Sequence, residues 1–133
     1  MTLLDKSECY RAFLLLIRQD RSITTHEREV LLKIGRLLDL DPRFSETSID
    51  DVLENRFINT EPPQFSRLEF AESFLKDAIR IASADDQFHQ SEFEWILSVA
   101  VRNGLDKEWV EKELQAFRKN PTDQQVFHIL KHL

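Results

Sequence analysis

Apolar residues recur at three- and four-residue intervals along almost the whole chain, the spacing of helices that bury one side. From Leu3 to Arg18 the pattern predicts a first helix. Its second half, Ala12-Phe13-Leu14-Leu15-Leu16-Ile17, is apolar on every side, which belongs at the centre of a bundle. Val30, Leu31, Ile34, Leu37 and Leu38 mark a second helix, stopped at Asp41-Pro42 because proline disfavours helical geometry in its predecessor. A shorter third helix is expected to carry Ile49, Val52 and Leu53, started by Thr47 or Ser48 with Asp50 or Asp51 three residues on.

Asn59-Thr60-Glu61-Pro62-Pro63-Gln64 is the one clear linker. After it, Ser66 and Glu69 have the spacing of a capping box, and Phe65 can staple onto Phe70. The next helix carries two stripes, Leu68/Ala71/Leu75/Ala78/Ala82 and Phe70/Phe74/Ile81, and is expected to be central as well. Phe93, Ile96, Leu97, Ala100 and Val101 mark a helix ended by Asn103-Gly104. Trp109, Val110, Leu114 and Phe117 mark another, ended by Asn120-Pro121. Thr122 and Gln125 box the start of a last helix bearing Val126, Phe127, Ile129 and Leu130. The pattern predicts an all-α, seven-helix bundle, with no period-two run long enough for a strand.

A shift of 65 positions aligns the two halves without a gap. Asp20 falls on Asp85, Glu27 on Glu92, Glu29 on Glu94, Leu32 on Leu97, Leu40 on Leu105 and Asp41 on Asp106. That is six identities in the 22 positions from 20 to 41, where average composition gives about one or two. Ile23/Phe88, Val30/Trp95, Leu31/Ile96, Ile34/Val99 and Phe44/Trp109 stay apolar. The expectation is a single domain over 1–133, built of two pseudo-symmetric helical-hairpin repeats at about 1–58 and 66–133, joined by a linker at 59–65.

Recurring core leucines need only packing; recurring carboxylates ask for more. Asp20 and Asp85 stand where a helix gives way to a turn, a usual place for aspartate. Glu27 and Glu92 stand in the first turn of the next helix, where a negative charge gains about 0.3–1 kcal/mol from the helix dipole. Thr24 with Glu27 makes a capping box. In the second half His89 replaces the threonine, and the alternative box, Ser91 with Glu94, has His26 as its counterpart. No single capping register is expected to serve both halves, so a ligand role stands beside capping. Gathered carboxylates either raise one another's pKa or recruit a cation. Oxygen-only ligands match a hard ion such as Ca²⁺ or Mg²⁺, although the spacing is not that of an EF-hand.

Ile81-Ala82-Ser83-Ala84-Asp85-Asp86-Gln87-Phe88, then Glu92, then Ala100 and Asn103-Gly104-Leu105, resembles the motif of the TerB-like domain family. That motif runs alanine, aspartate, glycine, an apolar residue, glutamate and Gly-Leu. Residues 17 to 40 echo it more weakly, so the resemblance spans both repeats. It implies an all-helical pseudo-symmetric bundle, acidic binding of divalent cations, and assembly of stress-response complexes at the cytoplasmic side of a membrane, without a demonstrated reaction. Carried over by position, the implied metal residues are Asp20, Glu27, Asp85 and Glu92. Asp86 adds a carboxylate next in sequence to Asp85, and His89, close by in the sequence, could be an accessory nitrogen ligand, a cap or surface histidine being the plainer alternative. The family's aspartate is usually followed by glycine; here Arg21 and Asp86 follow. Asp86 tolerates a left-handed turn better than Arg21, and Arg21 adds a cation, so the second turn is the better candidate.

The remaining chemistry narrows the classes. A length of 133 residues suits one domain. Two glycines are too few for the turns of an all-β domain. The net charge of -6 argues against nucleic acid. A lone Cys9 in an apolar helix reads as core and fits a reducing compartment, and no leader or membrane span is legible. His128 and His132, four apart, could chelate zinc from one helix face, while an exposed pair is the plainer alternative. There is no phosphate loop, nucleophile elbow or triad, and Glu27/Glu29 and Glu92/Glu94 point different ways. The expectation is a cytoplasmic, non-enzymatic module with a protein partner, peripheral membrane-complex association or a homodimer open to it. Phe57, Trp95 or Phe117 could line an exposed groove for a partner helix, the alternative to the acidic turns.

Overall fold

The computed structural model describes residues 1–20 (Asp20 by its backbone alone), 23–54, 59–83, 89–119 and 127–133. Among them are six α-helices and no strand: α1 (Leu3–Ile17), α2 (Thr25–Leu37), α3 (Pro42–Glu54), α4 (Leu68–Ser83), α5 (Gln90–Arg102) and α6 (Lys107–Lys119). Short 3-10 turns follow α1 at Arg18–Asp20 and close the chain at His128–His132. The last turn stands where a seventh helix is expected. Thr122 and Gln125, its expected start, lie outside the described residues, as does Phe57.

The all-round apolar segment of α1 takes the centre. Cys9, Tyr10 and every residue from Ala12 to Ile17 are buried, in one core with Phe70, Ala71, Phe74, Leu75, Ala78, Ile79 and Ala82 of α4. Phe13 meets Phe74 edge to face at 4.7 Å. Each such buried aromatic or leucine contributes about 1.5–3 kcal/mol from area removed from water. Around this pair, α2 packs on α3 and α5 on α6, and both α2 and α5 touch α1. The Trp95 ring nitrogen donates to the Ala12 carbonyl at 3.3 Å, so this buried tryptophan belongs to the α1–α5 seam.

The helix boundaries keep the 65-residue spacing seen in the sequence. Leu3, Thr25 and Pro42 open α1, α2 and α3; Leu68, Gln90 and Lys107, each 65 positions later, open α4, α5 and α6. The local bonds repeat too. Leu40 N–H donates to Gly35 O at 2.9 Å and Leu105 N–H to Ala100 O at 2.8 Å. The left-handed residues between them are Asp39 (φ 58°) and Gly104 (φ 84°), each satisfying a helix C-terminus by the same six-to-one bond.

Two expected boundaries are corrected. Pro42 does not merely stop α2; it opens α3, five residues before Thr47. Proline lacks the N–H that a first helical position leaves unpaired anyway, and Asp41 caps the turn through Oδ1, accepting Arg43 N–H at 2.8 Å. Ser66 does not box with Glu69: its hydroxyl donates to Asp5 Oδ2 at 3.0 Å, and α4 takes its first turn from Arg67 O. Phe65 packs on the Phe74 ring at 5.7 Å. A close approach of α2 and α3 explains Gly35: a Cβ there would overlap Ser45 Oγ and lie 3.2 Å from Ser45 Cβ and 3.4 Å from Tyr10 Cε1.

Candidate functional site

The two repeated glutamates sit at the same place in their helices. At the start of α2, Glu27 Oε1 accepts Thr24 N–H at 2.9 Å, and Thr24 Oγ1 accepts Glu27 N–H at 3.1 Å. At the start of α5, Glu92 Oε1 accepts His89 N–H at 3.3 Å. One capping register therefore serves both halves, against the expectation from the sequence. The glutamate reaches back to a backbone N–H, which any residue but proline supplies, so histidine stands in for threonine at no loss of that bond. Each carboxylate has one oxygen on an amide and lies at the positive end of a helix dipole.

Both glutamates are half-buried and His89 is exposed. Asp85, Asp86 and the Asp20 side chain lie outside the described residues. The capping bonds thus pair Glu27 with Thr24 and Glu92 with His89. Among the described residues, no group of three His, Cys, Asp or Glu side chains is placed to hold a metal ion. His128 and His132 go separate ways. His132 Nε2 lies 2.8 Å from Ser73 Oγ with its ring against Phe70, and His128 Nδ1 is 3.4 Å from Lys131 Nζ.

Two buried carboxylates went unread in the sequence. Asp5 gathers the two halves at the starts of α1 and α4: Oδ2 accepts Thr2 N–H at 3.2 Å, Thr2 Oγ1 at 2.8 Å and Ser66 Oγ, while Oδ1 accepts Ser66 N–H at 3.3 Å. Burial raises its pKa, but these donors outweigh it and the net shift is downward. Asp77, fully buried on α4, accepts His128 N–H at 2.7 Å and Ile129 N–H at 2.9 Å. It thereby caps the final 3-10 turn. Burial pushes its pKa up to about 6, and the two N–H donors, Arg80 and Lys131 draw it back only in part. Arg80 lies over the Phe127 ring at 4.7 Å. Burial, then Asp77 and Asp5, push the Cys9 thiol far up, which leaves it inert.

The surface of the described residues has concavities, two of which bear on binding. One, between α4, α6 and the last turn, holds about 210 Å³ and is lined by Lys76, Arg80, Glu113, Phe117 and His128 among others. The other is an open groove along α5, lined by Pro62, Glu94, Leu97, Ser98, Val101 and Arg102. No helix among the described residues is long and apolar enough to cross a membrane. No family model, no curated protein and no solved structure matches this chain.

Proposed function

We propose that this chain is a non-enzymatic binding module of the TerB-like kind, a seven-helix bundle of two helical-hairpin repeats. Its two acidic turns engage a divalent cation, Ca²⁺ or Mg²⁺, or a basic partner. The reading is carried by the matched starts of α2 and α5, where Glu27 and Glu92 hold one register, seven positions after Asp20 and Asp85 in the sequence. The 65-residue spacing of every helix start supports the duplication. In each turn the capping bond orients the glutamate at the start of its helix; on this reading Asp20, Asp85 and Asp86 share the ligand role with it, and exposed His89 is an accessory ligand. A net charge of -6 favours a basic partner by the same attraction. The TerB-like assignment adds a cytoplasmic setting and a place in a metal- or stress-response complex at a membrane.

Calorimetry tests it. Calcium or magnesium injected into the wild type gives a binding heat that Asp85→Ala diminishes. A heatless titration with an unchanged melting temperature removes the cation.

A second reading has its own support. Glu27 and Glu92 each already accept an amide, as carboxylates that only cap would, and Leu97 and Val101 offer an apolar helical surface to a partner in the manner of a scaffold or co-chaperone domain. On that reading Asp85→Ala leaves partner binding intact while Val101→Asp abolishes it.

A further inference from the structure

We infer that the outer stripe of α5 is a self-complementary surface on which a second copy of this chain docks antiparallel. The inference uses residues apart from the acidic turns and stands whether or not they bind a cation. Glu94, Leu97, Ser98, Val101 and Arg102 stand at positions i, i+3, i+4, i+7 and i+8, so they form a single stripe along the helix. The stripe carries an anion at one end, a cation at the other and aliphatic side chains between. Val101 is 61% exposed. Among the helices of the described residues, the matching stripe of α2 reads Glu29, Leu32, Lys33, Arg36 and Leu37. An arginine there replaces the valine and a lysine the serine, so only the α5 copy has an uncharged middle.

Charge order selects the occupant. Glu94 and Arg102 lie four residues either side of Ser98. About a two-fold axis passing by Ser98, Glu94 of each copy therefore faces Arg102 of the other, and the same ion pair forms at both ends of the contact. Ser98 turns its hydroxyl back to Trp95 O at 2.7 Å, so the crossing point presents a small side chain with a satisfied polar group. Leu97 of one copy then fits beside Val101 of the other, ridge into groove.

The wall beside the stripe is held in place. Asn103 Nδ2 donates to Pro63 O at 2.9 Å, Asn103 Oδ1 accepts Phe65 N–H at 2.9 Å, and Arg11 Nη1 donates to Asn59 O at 3.1 Å and Glu61 O at 2.8 Å. Pro62 thus forms a fixed edge to the groove, which reduces the ordering cost of docking. One helix and a linker edge make a small contact, so the dimer belongs to the weak, concentration-dependent class.

Sedimentation equilibrium of the full chain across about 10 to 500 µM covers the range in which such contacts form. The wild-type weight-average mass is expected to climb from monomer towards dimer. Glu94→Arg or Arg102→Glu alone sets like charges against each other at both ends and should weaken association about tenfold or more. The double variant Glu94→Arg/Arg102→Glu should recover it. Both positions are exposed, so helical circular dichroism is expected to match the wild type in all three. A wild type that stays monomeric throughout, which would leave the groove to a different occupant, overturns the proposal. So does a dimer indifferent to both single reversals.

Discussion

Asp77→Asn isolates the one fully buried carboxylate of α4. The side chain accepts His128 N–H at 2.7 Å and Ile129 N–H at 2.9 Å, and its pKa stands at about 6 against an ordinary 3.8, burial being the chief cause. Because the folded value lies above the unfolded one, the native chain holds this proton more tightly than the unfolded chain does. The stability contributed by neutral Asp77 is complete below about pH 4 and is lost as the pH rises through 6. A shift of about two units corresponds to about 3 kcal/mol. Asparagine is neutral at every pH. It keeps a carbonyl for one of the two N–H groups and turns an amide towards the other, a fault that costs about 1–3 kcal/mol. The variant should therefore be the less stable protein at pH 4, by about that amount, and match or exceed the wild type at pH 7. Urea unfolding of both proteins at pH 4, 5, 6 and 7 reads the difference, in which the other carboxylates cancel. A difference that does not change with pH, or that moves further against the variant as the pH rises, would refute the reasoning.

Gly35→Ala gains about 1 kcal/mol of helix propensity but forces a Cβ into Ser45, an overpacking that costs about 1–3 kcal/mol. Urea unfolding should show a net loss, smaller in a Ser45→Ala background, and equal losses in both backgrounds would count against the α2–α3 contact. Gly104→Ala meets no neighbour, since nothing lies within 4 Å of the added Cβ, and should still lose about 1 kcal/mol because φ is 84°. The reverse change at the matching position, Asp39→Gly, should be neutral to mildly stabilising in thermal melts; a clear loss would mean that the aspartate side chain, rather than the backbone, matters there.

Helical periodicity revealed the six helices because each buries a continuous stripe, and the 65-residue spacing survived because it rests on boundaries as well as composition. The errors lie where a residue's partner is distant in sequence or where two rules use the same residue. Ser66 satisfies the capping-box spacing with Glu69, yet Asp5, 61 positions earlier, takes its hydroxyl. Pro42 is both a stop for one helix and an acceptable first residue of the next, and the short connection from Leu38 to Asp41 allowed it to be the second. Asp77 interrupts an apolar stripe, a visible anomaly, but its donors at His128 and Ile129 come from a segment whose place on α4 only the fold reveals. The matched roles of Glu27 and Glu92 were half legible. The glutamate's bond goes to backbone, so the change from Thr24 to His89 hid a register that the chain in fact keeps.

The most direct test of the binding reading is an amide chemical-shift titration of the ¹⁵N-labelled chain with Mg²⁺ or Ca²⁺. The account predicts saturable shifts clustered at residues 23–28 and 89–93 together, with Asp85→Ala erasing the second cluster and sparing the first. Amides at both helix starts that stay unmoved up to saturating metal would contradict it.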